Sequence, residues 1–528
     1  ALSENVAHND YSDREEIHID FLADLGDGWD STYSLATLLA APNLAFERDS
    51  ELYQTQRGNI LIMGGDEVYP TATREEYQNR LVGPYRSALP CVLDDDSAPH
   101  LYAIPGNHDW YDGLTAFTRL FMQRRWIGGW QTKQPRSYFA LKLPHNWWLL
   151  GIDIQLASDI DMPQIGFFRE VANQITPGDK VILCTAQPDW VHVQEYPEAF
   201  GNLAYFENEI VKKSGAELRL TLTGDLHHYC HYVENGGKKH KITSGGGGAY
   251  LYPTHEMPDD VALEVGDDRE QYKLTESYPD LKTSRGLTVG AIKLPIRNWK
   301  FSMLLGGLYL IYAWIIQSAS IGKPGGTFVE TIIGMGIDFN GFLATLSKYF
   351  EILGHSPLGI VFFLLFVGGM LGFAKDEKWY SMPVGAVHGF AHVILNVFLA
   401  WLFLSFNFHI FNLSYGTFAH FVVYVLELIF VGSLLGGFLV GIYLYLVSRF
   451  LKLNSNEAFS CQYIADFKNF MRLHIDKNGE LTVYPVGIER VCKEWELNKQ
   501  AKDGESWFRP ADGHTIVPRL IEKPIKIK

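Results

Sequence analysis

Cysteine is scarce in this sequence. Five are scattered through 528 residues, at Cys91, Cys184, Cys230, Cys461 and Cys492. An odd, dispersed set argues against a disulfide framework and fits a reducing compartment. Cys184 and Cys230 read as small buried apolar residues. A basic excess is also lacking. The formal net charge is −15, so no nucleic-acid binding is expected, because that needs a basic face. The opening "ALSENVAHND" has no apolar core and predicts no uncleaved signal peptide. "SGGGGAY", 244–250, lacks the Lys-Ser/Thr of a phosphate-binding loop and reads instead as a flexible loop flanking a site.

The length suits two or three domains, and hydrophobicity divides them. Residues 1–298 read as a soluble α/β domain. Phe301–Gly322 then runs without a charged side chain, Ile352–Ala374 is a second such run, and Trp379–Leu426 carries no Asp, Glu, Lys or Arg. About 20 apolar residues cross a bilayer. Residues 299–450 therefore predict four spans, at about 301–321, 353–374, 383–405 and 418–448. The stretch 324–350 carries Glu330, Asp338 and several glycines, and reads as an interfacial loop. "RNWK", "KDEK" and "RFLK" flank the spans on one side, while the loop between spans three and four has no Lys or Arg. By the positive-inside rule both termini lie in the cytoplasm, at an inner membrane of bacterial type or its equivalent. Residues 451–528 read as a small β-containing cytoplasmic cap. Its alternating pattern either side of Asn478-Gly479 is a hairpin signal.

Within the first domain a layout repeats. Apolar, β-branched runs end in polar residues with glycine: "IHIDFLADLGDG" at Asp24, "NILIMGGDEVY" at Asp66, "HLYAIPGNHDWYDG" at Asn107 and His108, "KVILCTAQPDW" at Ala186 and Gln187, and "LRLTLTGDLHHY" at Asp225 and His227. Strands alternating with helices predict a buried sheet with sites at the strands' carboxyl ends. Asp24, Asp66, Tyr69, Asn107, Asp225 and His227 would then gather as oxygen and nitrogen donors. Carboxylates without basic partners repel one another, and a multivalent cation resolves the conflict. Such ligation suits Fe, Mn, Zn or Mg rather than a thiolate zinc site.

The set "DLG" (24–26), "GDEVY" (65–69), "GNHD" (106–109) and "GDLH" (224–227) resembles the calcineurin-like metallophosphoesterases, and its D-x-G and G-D-x-x-Y forms resemble the purple acid phosphatase branch. The resemblance covers roughly residues 15–250. It implies a four-layer sandwich, two packed β-sheets flanked by helices. It implies that Asp24, Asp66, Tyr69 and His227 hold a first metal, with a phenolate at Tyr69 favouring Fe(III). A second metal would share Asp66 and take Asn107 and two histidines. The chain departs at both: Ala186 stands at one expected histidine and Asp225 at the other. Three alternatives follow: Gln187 or His192 substitutes for the missing histidine, the second site is weak, or it is empty. His108 is implied beside the site as a catalytic group, with Asp66 as the bridging ligand.

Other residues have plain alternatives. Each strand-end aspartate alone is a turn or cap residue, and Tyr69 alone is packing. Asp225 can instead orient a neighbouring histidine. Asp27 and Asp109 read as support around the site, and Asp30 as a cap for a helix beginning near Ser31. His228 and His231 alternate, so both cannot face the metal beside His227; one is a candidate substrate contact. In the membrane region His388, His392 and Asn396 share a helix face, with His420 and Glu427 on the next span. They read as a polar seam between helices, with a metal site or proton path as the sharper alternative.

The expectation is a membrane-anchored enzyme with one or two metal ions that hydrolyses a phosphomonoester or phosphodiester, lipid-linked or a nucleotide. Two rivals stand: a degenerate metal- or nucleotide-binding domain regulating the membrane bundle, and a transporter or channel with an accessory domain.

Overall fold

The computed structural model describes residues 9–91, 98–154, 159–376 and 378–528. Glu377 of "KDEK" and most of the opening decapeptide lie outside these. The chain divides into two units, residues 1–284 with 464–528, and residues 285–463.

The first unit is mixed α/β with two nine-stranded sheets. In one, Trp147–Gly151, Lys180–Cys184, Glu217–Thr223 and His240–Ser244 run parallel in that order. In the other, Ile17–Leu22, Ile60–Met63 and His100–Ala103 run parallel. These strands are largely buried on both faces, as parallel strands are. Ile19, Phe21, Ile62 and Tyr102 of the second sheet pack with Leu149, Ile182, Leu220 and Ile242 of the first to form the central core. The opposite face of the second sheet packs with the helices Trp29–Ala40, Gly83–Ala88 and Thr115–Phe121. That of the first packs with Met162–Ala172 and Gly201–Phe206. The order of layers is thus helix, sheet, sheet, helix.

Residues 464–528 are not a separate cap. Lys468–Ile475 pairs antiparallel with Ile17–Leu22, and Leu481–Ile488 extends the same sheet. Arg472 fixes the join: it is 1% exposed, lies 3.2 Å from Asp20, and donates to the carbonyls of Leu38 and Ala41 at 3.0 Å. The Asn478-Gly479 hairpin is present between these two strands.

The second unit is helical. Trp299–Ser320, Ser381–His409 and Phe418–Leu451 are long and apolar enough to cross a membrane. The expected span at 353–374 is present as the 17-residue helix Pro357–Phe373; it meets Phe339–Leu353 at 110°, and the bent pair counts as a fourth span only if taken together. Pro357 opens the second helix, with Ser356 capping it through Gly359 N. The expected loop at 324–350 contains helices, Phe328–Ile333 and the start of Phe339–Leu353. The first opens with a capping box of Thr327 and Glu330 and the second with Asp338 as cap. Small residues allow close helix approach: a Cβ on Gly306 would collide with Ser433 and Ile429, and one on Gly389 would stand 2.6 Å from Val367 Cα.

Candidate metal centre

The carboxyl ends of the two parallel strand sets come together. Ala23 N donates to Ser244 O at 3.2 Å, and Ala249 N to Asp24 O at 2.9 Å. Glycine makes this approach feasible. A side chain on Gly245 would collide with Asp24 Oδ2, and one on Gly106 with Asp66 Oδ1. The four glycines 245–248 are buried and packed on Ala23–Leu25 and Asn469, which replaces the expectation of a flexible loop.

Asp24, Asp66 and Asp225 all adopt left-handed backbone conformations, with φ of 58°, 51° and 65°. Aspartate tolerates this region better than most residues. Three such turns at three strand ends swing the carboxylates out of the strand alternation. Strain of this kind gathers at functional sites.

Tyr69 is the centre of the cluster. Its Oη lies 2.8 Å from Asp24 Oδ1, 2.9 Å from Asp66 Oδ2 and 2.9 Å from His227 Nε2. His227 Nδ1 lies 2.8 Å from the Tyr250 carbonyl. A carbonyl only accepts, so Nδ1 carries the proton and Nε2 presents a lone pair. One phenol proton therefore faces three acceptors. Asp24 Oδ2 makes no well-formed hydrogen bond, although the Asp225 N–H favours its ionised form.

The electrostatics agree. Burial, then Asp66 and Asp225, holds Asp24 well above the carboxylate range. Burial, then Asp225, pushes Asp66 up to about 7, and burial pushes Asp225 up to about 6. Burial and the same carboxylates hold the Tyr69 phenol high, and burial holds His227 low.

This donor set fits a cation. Neighbouring ligands at right angles on an octahedral ion with bonds of about 2.0–2.1 Å stand roughly 2.9 Å apart, as Tyr69 Oη stands from its three partners. Tyr69 is needed for this: among the described residues, the carboxylates and imidazoles of this edge form no trio within 4.8 Å.

The remaining expected residues fall into place unevenly. His108 N donates to Asp66 Oδ1 at 2.8 Å, and its ring lies against Tyr69 with centroids 4.3 Å apart. Its Nδ1 meets the Pro70 carbonyl at 2.8 Å, so the proton of the neutral ring is on Nδ1 and Nε2 is free to accept. Asp109 is buried, accepting from Gly106 N at 2.8 Å and from Tyr77. It braces the loop and does not face solvent. Asp27 accepts from Tyr250 N at 3.3 Å and pairs with Arg80 at 3.7 Å. Asn107 is half-buried and donates to Tyr111 Oη at 3.2 Å rather than to Asp66.

Ala186 sits beside the cluster: a Cβ on Gly65 would stand 2.9 Å from its methyl. That methyl is 2% exposed and offers no donor. His192 ends a short 3-10 turn, half-buried, and no described bond joins its ring to the cluster. His228 is wholly buried, with the Tyr252 main chain favouring its charged form against burial, so it is not placed to meet a substrate. His231 is tied to Glu522 at 3.0 Å and His240 at 2.9 Å. Asp30 does not cap its helix, which begins at Trp29; it accepts from Trp495 Nε1 at 3.0 Å.

Three residues went unnoticed in the sequence. Glu67 is wholly buried, its carboxyl held up by burial, then by Asp109 and Asp66. Asp189 is pushed up to about 7 by burial and by Asp225. Lys468, from the C-terminal segment, is buried, donates to the Ala249 carbonyl, and is drawn down to about 8 by burial against the pull of Asp27, Asp466 and Asp24. A charged residue beside a known motif would have flagged Glu67 and Asp189. Lys468 had no local signal.

The helical unit holds two polar patches rather than one seam. His392 Nε2 meets His388 Nε2 at 3.1 Å, its Nδ1 meets Tyr309 Oη, and Asn396 donates to the Tyr309 carbonyl at 2.9 Å. Separately, Glu427 accepts from Asn407 at 2.8 Å. His420 lies among Phe408, Tyr415 and Tyr424, with no hydrogen bond to its Nδ1.

No family model matches the chain, and no curated protein matches it. Among solved structures, the chain is similar to "GAP50 the anchor in the inner membrane complex of Plasmodium", at 12% identity and a TM-score of 0.35, over 51% of this chain and 92% of that one. A likeness that slight bears on neither fold nor function.

Proposed function

We propose that this chain is a membrane-anchored, metal-dependent phosphoesterase of the calcineurin-like type. One observation carries the reading: Asp24, Asp66 and His227, from three strand ends, converge within 2.9 Å of one phenolic oxygen, Tyr69 Oη. The two-sheet, helix-flanked layering and the order of the four motifs support it.

Asp24, Asp66, Tyr69 and His227 would hold the first ion, Fe, Mn or Zn by donor type. When bound, such an ion supplies Lewis-acid polarisation of a phosphoryl oxygen and acidifies water. The chain's own residues do the rest. The Tyr250 carbonyl fixes the His227 tautomer, so that Nε2 faces inward. The His108 main chain orients Asp66. The His108 ring, anchored through Nδ1 to Pro70, uses Nε2 to receive a proton when neutral and to give one to a leaving oxygen when charged. Asp225 offers a hard donor where the family has a histidine.

The membrane helices favour a lipid-linked or membrane-proximal phosphoester as substrate. The distribution of Lys and Arg favours a cytoplasmic location for the first unit.

One observation favours a second reading, a single-metal or nucleotide-binding regulator without turnover: the buried methyl of Ala186 leaves the second site short of a donor. The two part in one experiment. The purified chain is assayed on model phosphomonoesters and diesters with Mn, Fe, Zn and Mg, beside Asp66→Asn and His108→Ala. Turnover lost in both variants supports the enzyme. No turnover with any metal sinks it, and one tightly held ion without turnover favours the regulator.

A further inference from the structure

A second group of metal-type donors lies at the other end of the same strands. His18 and His474 are direct partners in the antiparallel pairing of Ile17–Leu22 with Lys468–Ile475. Their rings are stacked, with centroids 4.1 Å apart and planes 11° apart, so one ring must turn about its χ angles for both to face one ion. His474 Nε2 lies 2.9 Å from Glu16 Oε2. One ligand atom from each of the three lies within 4.8 Å of the others, and no other trio of His, Cys, Asp or Glu does so among the described residues. All three are partly exposed, so an ion can reach them from solvent.

A simple His–Glu pair needs one imidazole; here there are two. No hydrogen bond to the His18 ring is seen among the described residues, so its nitrogens are available. Two imidazoles and one carboxylate form the donor set of open zinc sites.

We propose that Glu16, His18 and His474 bind a divalent transition-metal ion of the Zn2+ class, independent of the Tyr69 centre. The site is set apart by the strand itself: Glu16 precedes Ile17–Leu22 and Asp24 follows it, roughly 26 Å along extended chain. The ion joins the N-terminal strand to the segment that returns after the helical unit. That strand pair also carries Asp24 and Lys468 at its far end, so binding here stiffens the strands on which the first centre is built.

The test uses the full chain in detergent, stripped with chelator and dialysed against micromolar ZnCl2. Bound zinc is counted and the thermal midpoint of the protein is read. Wild type is compared with His18→Ala, His474→Asn, and the double variant Asp66→Asn/His227→Ala. The expected result is one equivalent lost in His18→Ala and in His474→Asn, with a smaller zinc-dependent rise in Tm than in wild type. The double variant should keep that equivalent, and Glu16→Gln should weaken it about tenfold. His18 and His474 are partly exposed, and equal Tm in chelator certifies the fold of each variant. Zinc content unchanged in both histidine variants, or loss confined to the double variant, overturns the proposal.

Discussion

Arg472→Met probes whether the C-terminal segment is part of the first unit's frame. Methionine keeps much of the stem and removes every donor. Asp20 is then left buried with the Gly58 N–H at 2.9 Å as its remaining described bond, and Leu38 and Ala41 lose a partner. Stranding one member of a buried ion pair costs about 3–5 kcal/mol. The loss should depend on pH. Burial already pushes Asp20 up from 3.8 to about 6, against the pull of Arg472. An acid whose folded-state pKa lies above its unfolded value gives most stability below the unfolded pKa, and loses it as pH rises through the folded one. In the wild type that decline falls between about pH 4 and 6 and is worth about 3 kcal/mol. Without Arg472 the folded pKa climbs higher and the decline continues above 6. The deficit of the variant is therefore larger at pH 8 than at pH 5. Hydrogen exchange of peptides covering Ile17–Leu22 and Lys468–Ile475 reads local opening in a chain too large for two-state unfolding. At pH 8, corrected exchange should quicken at least a hundredfold. Arg472→Met/Asp20→Leu should recover most of the loss. A deficit under about 1 kcal/mol at pH 8, or one flat with pH, would refute the argument, since breaking a buried pair costs about 3 kcal/mol or more.

Three further outcomes are expected. Gly245→Ala places a methyl against Asp24 Oδ2, so metal content and turnover should both collapse; an unchanged metal content contradicts the packing. In chelator, Asp66 and Asp225, raised by burial to about 7 and about 6, should make stability fall as pH rises from about 4 to 7. Metal loading should flatten that slope in thermal melts, and identical slopes with and without metal count against ligation there. If iron occupies the first centre, Tyr69→Phe should abolish its visible charge-transfer absorption, whereas a retained band removes Tyr69 from the ligand set.

Much of the site was legible because it lies at strand ends. Apolar runs ending in Asp-Leu-Gly or Gly-Asp mark Asp24, Asp66 and Asp225 by period and composition alone. The left-handed turns that bring these carboxylates together leave only a faint trace, the residue type itself. Tyr69 was harder, since one aromatic after a strand is ordinarily packing. The C-terminal segment was misjudged for a different reason. Its hairpin is a local signal, but pairing Lys468–Ile475 with Ile17–Leu22 spans most of the chain, and no local pattern encodes a partner at that distance. Lys468 and Arg472 were missed with it. In the helical unit, Thr327 and Glu330 are a capping box that the glycines around them obscured, and Pro357 marks the break that apolar content alone ran through.

The central claim is that Tyr69, Asp24, Asp66 and His227 hold a metal ion. The direct measurement is elemental analysis of the purified full chain after stripping and reloading, for wild type, Tyr69→Phe and the double variant Asp24→Asn/His227→Ala, each in a His18→Ala background that removes the surface site. The account predicts at least one tightly held ion in the parent and none in the double variant. A parent that takes up no metal, or a double variant that keeps its full complement, would contradict it.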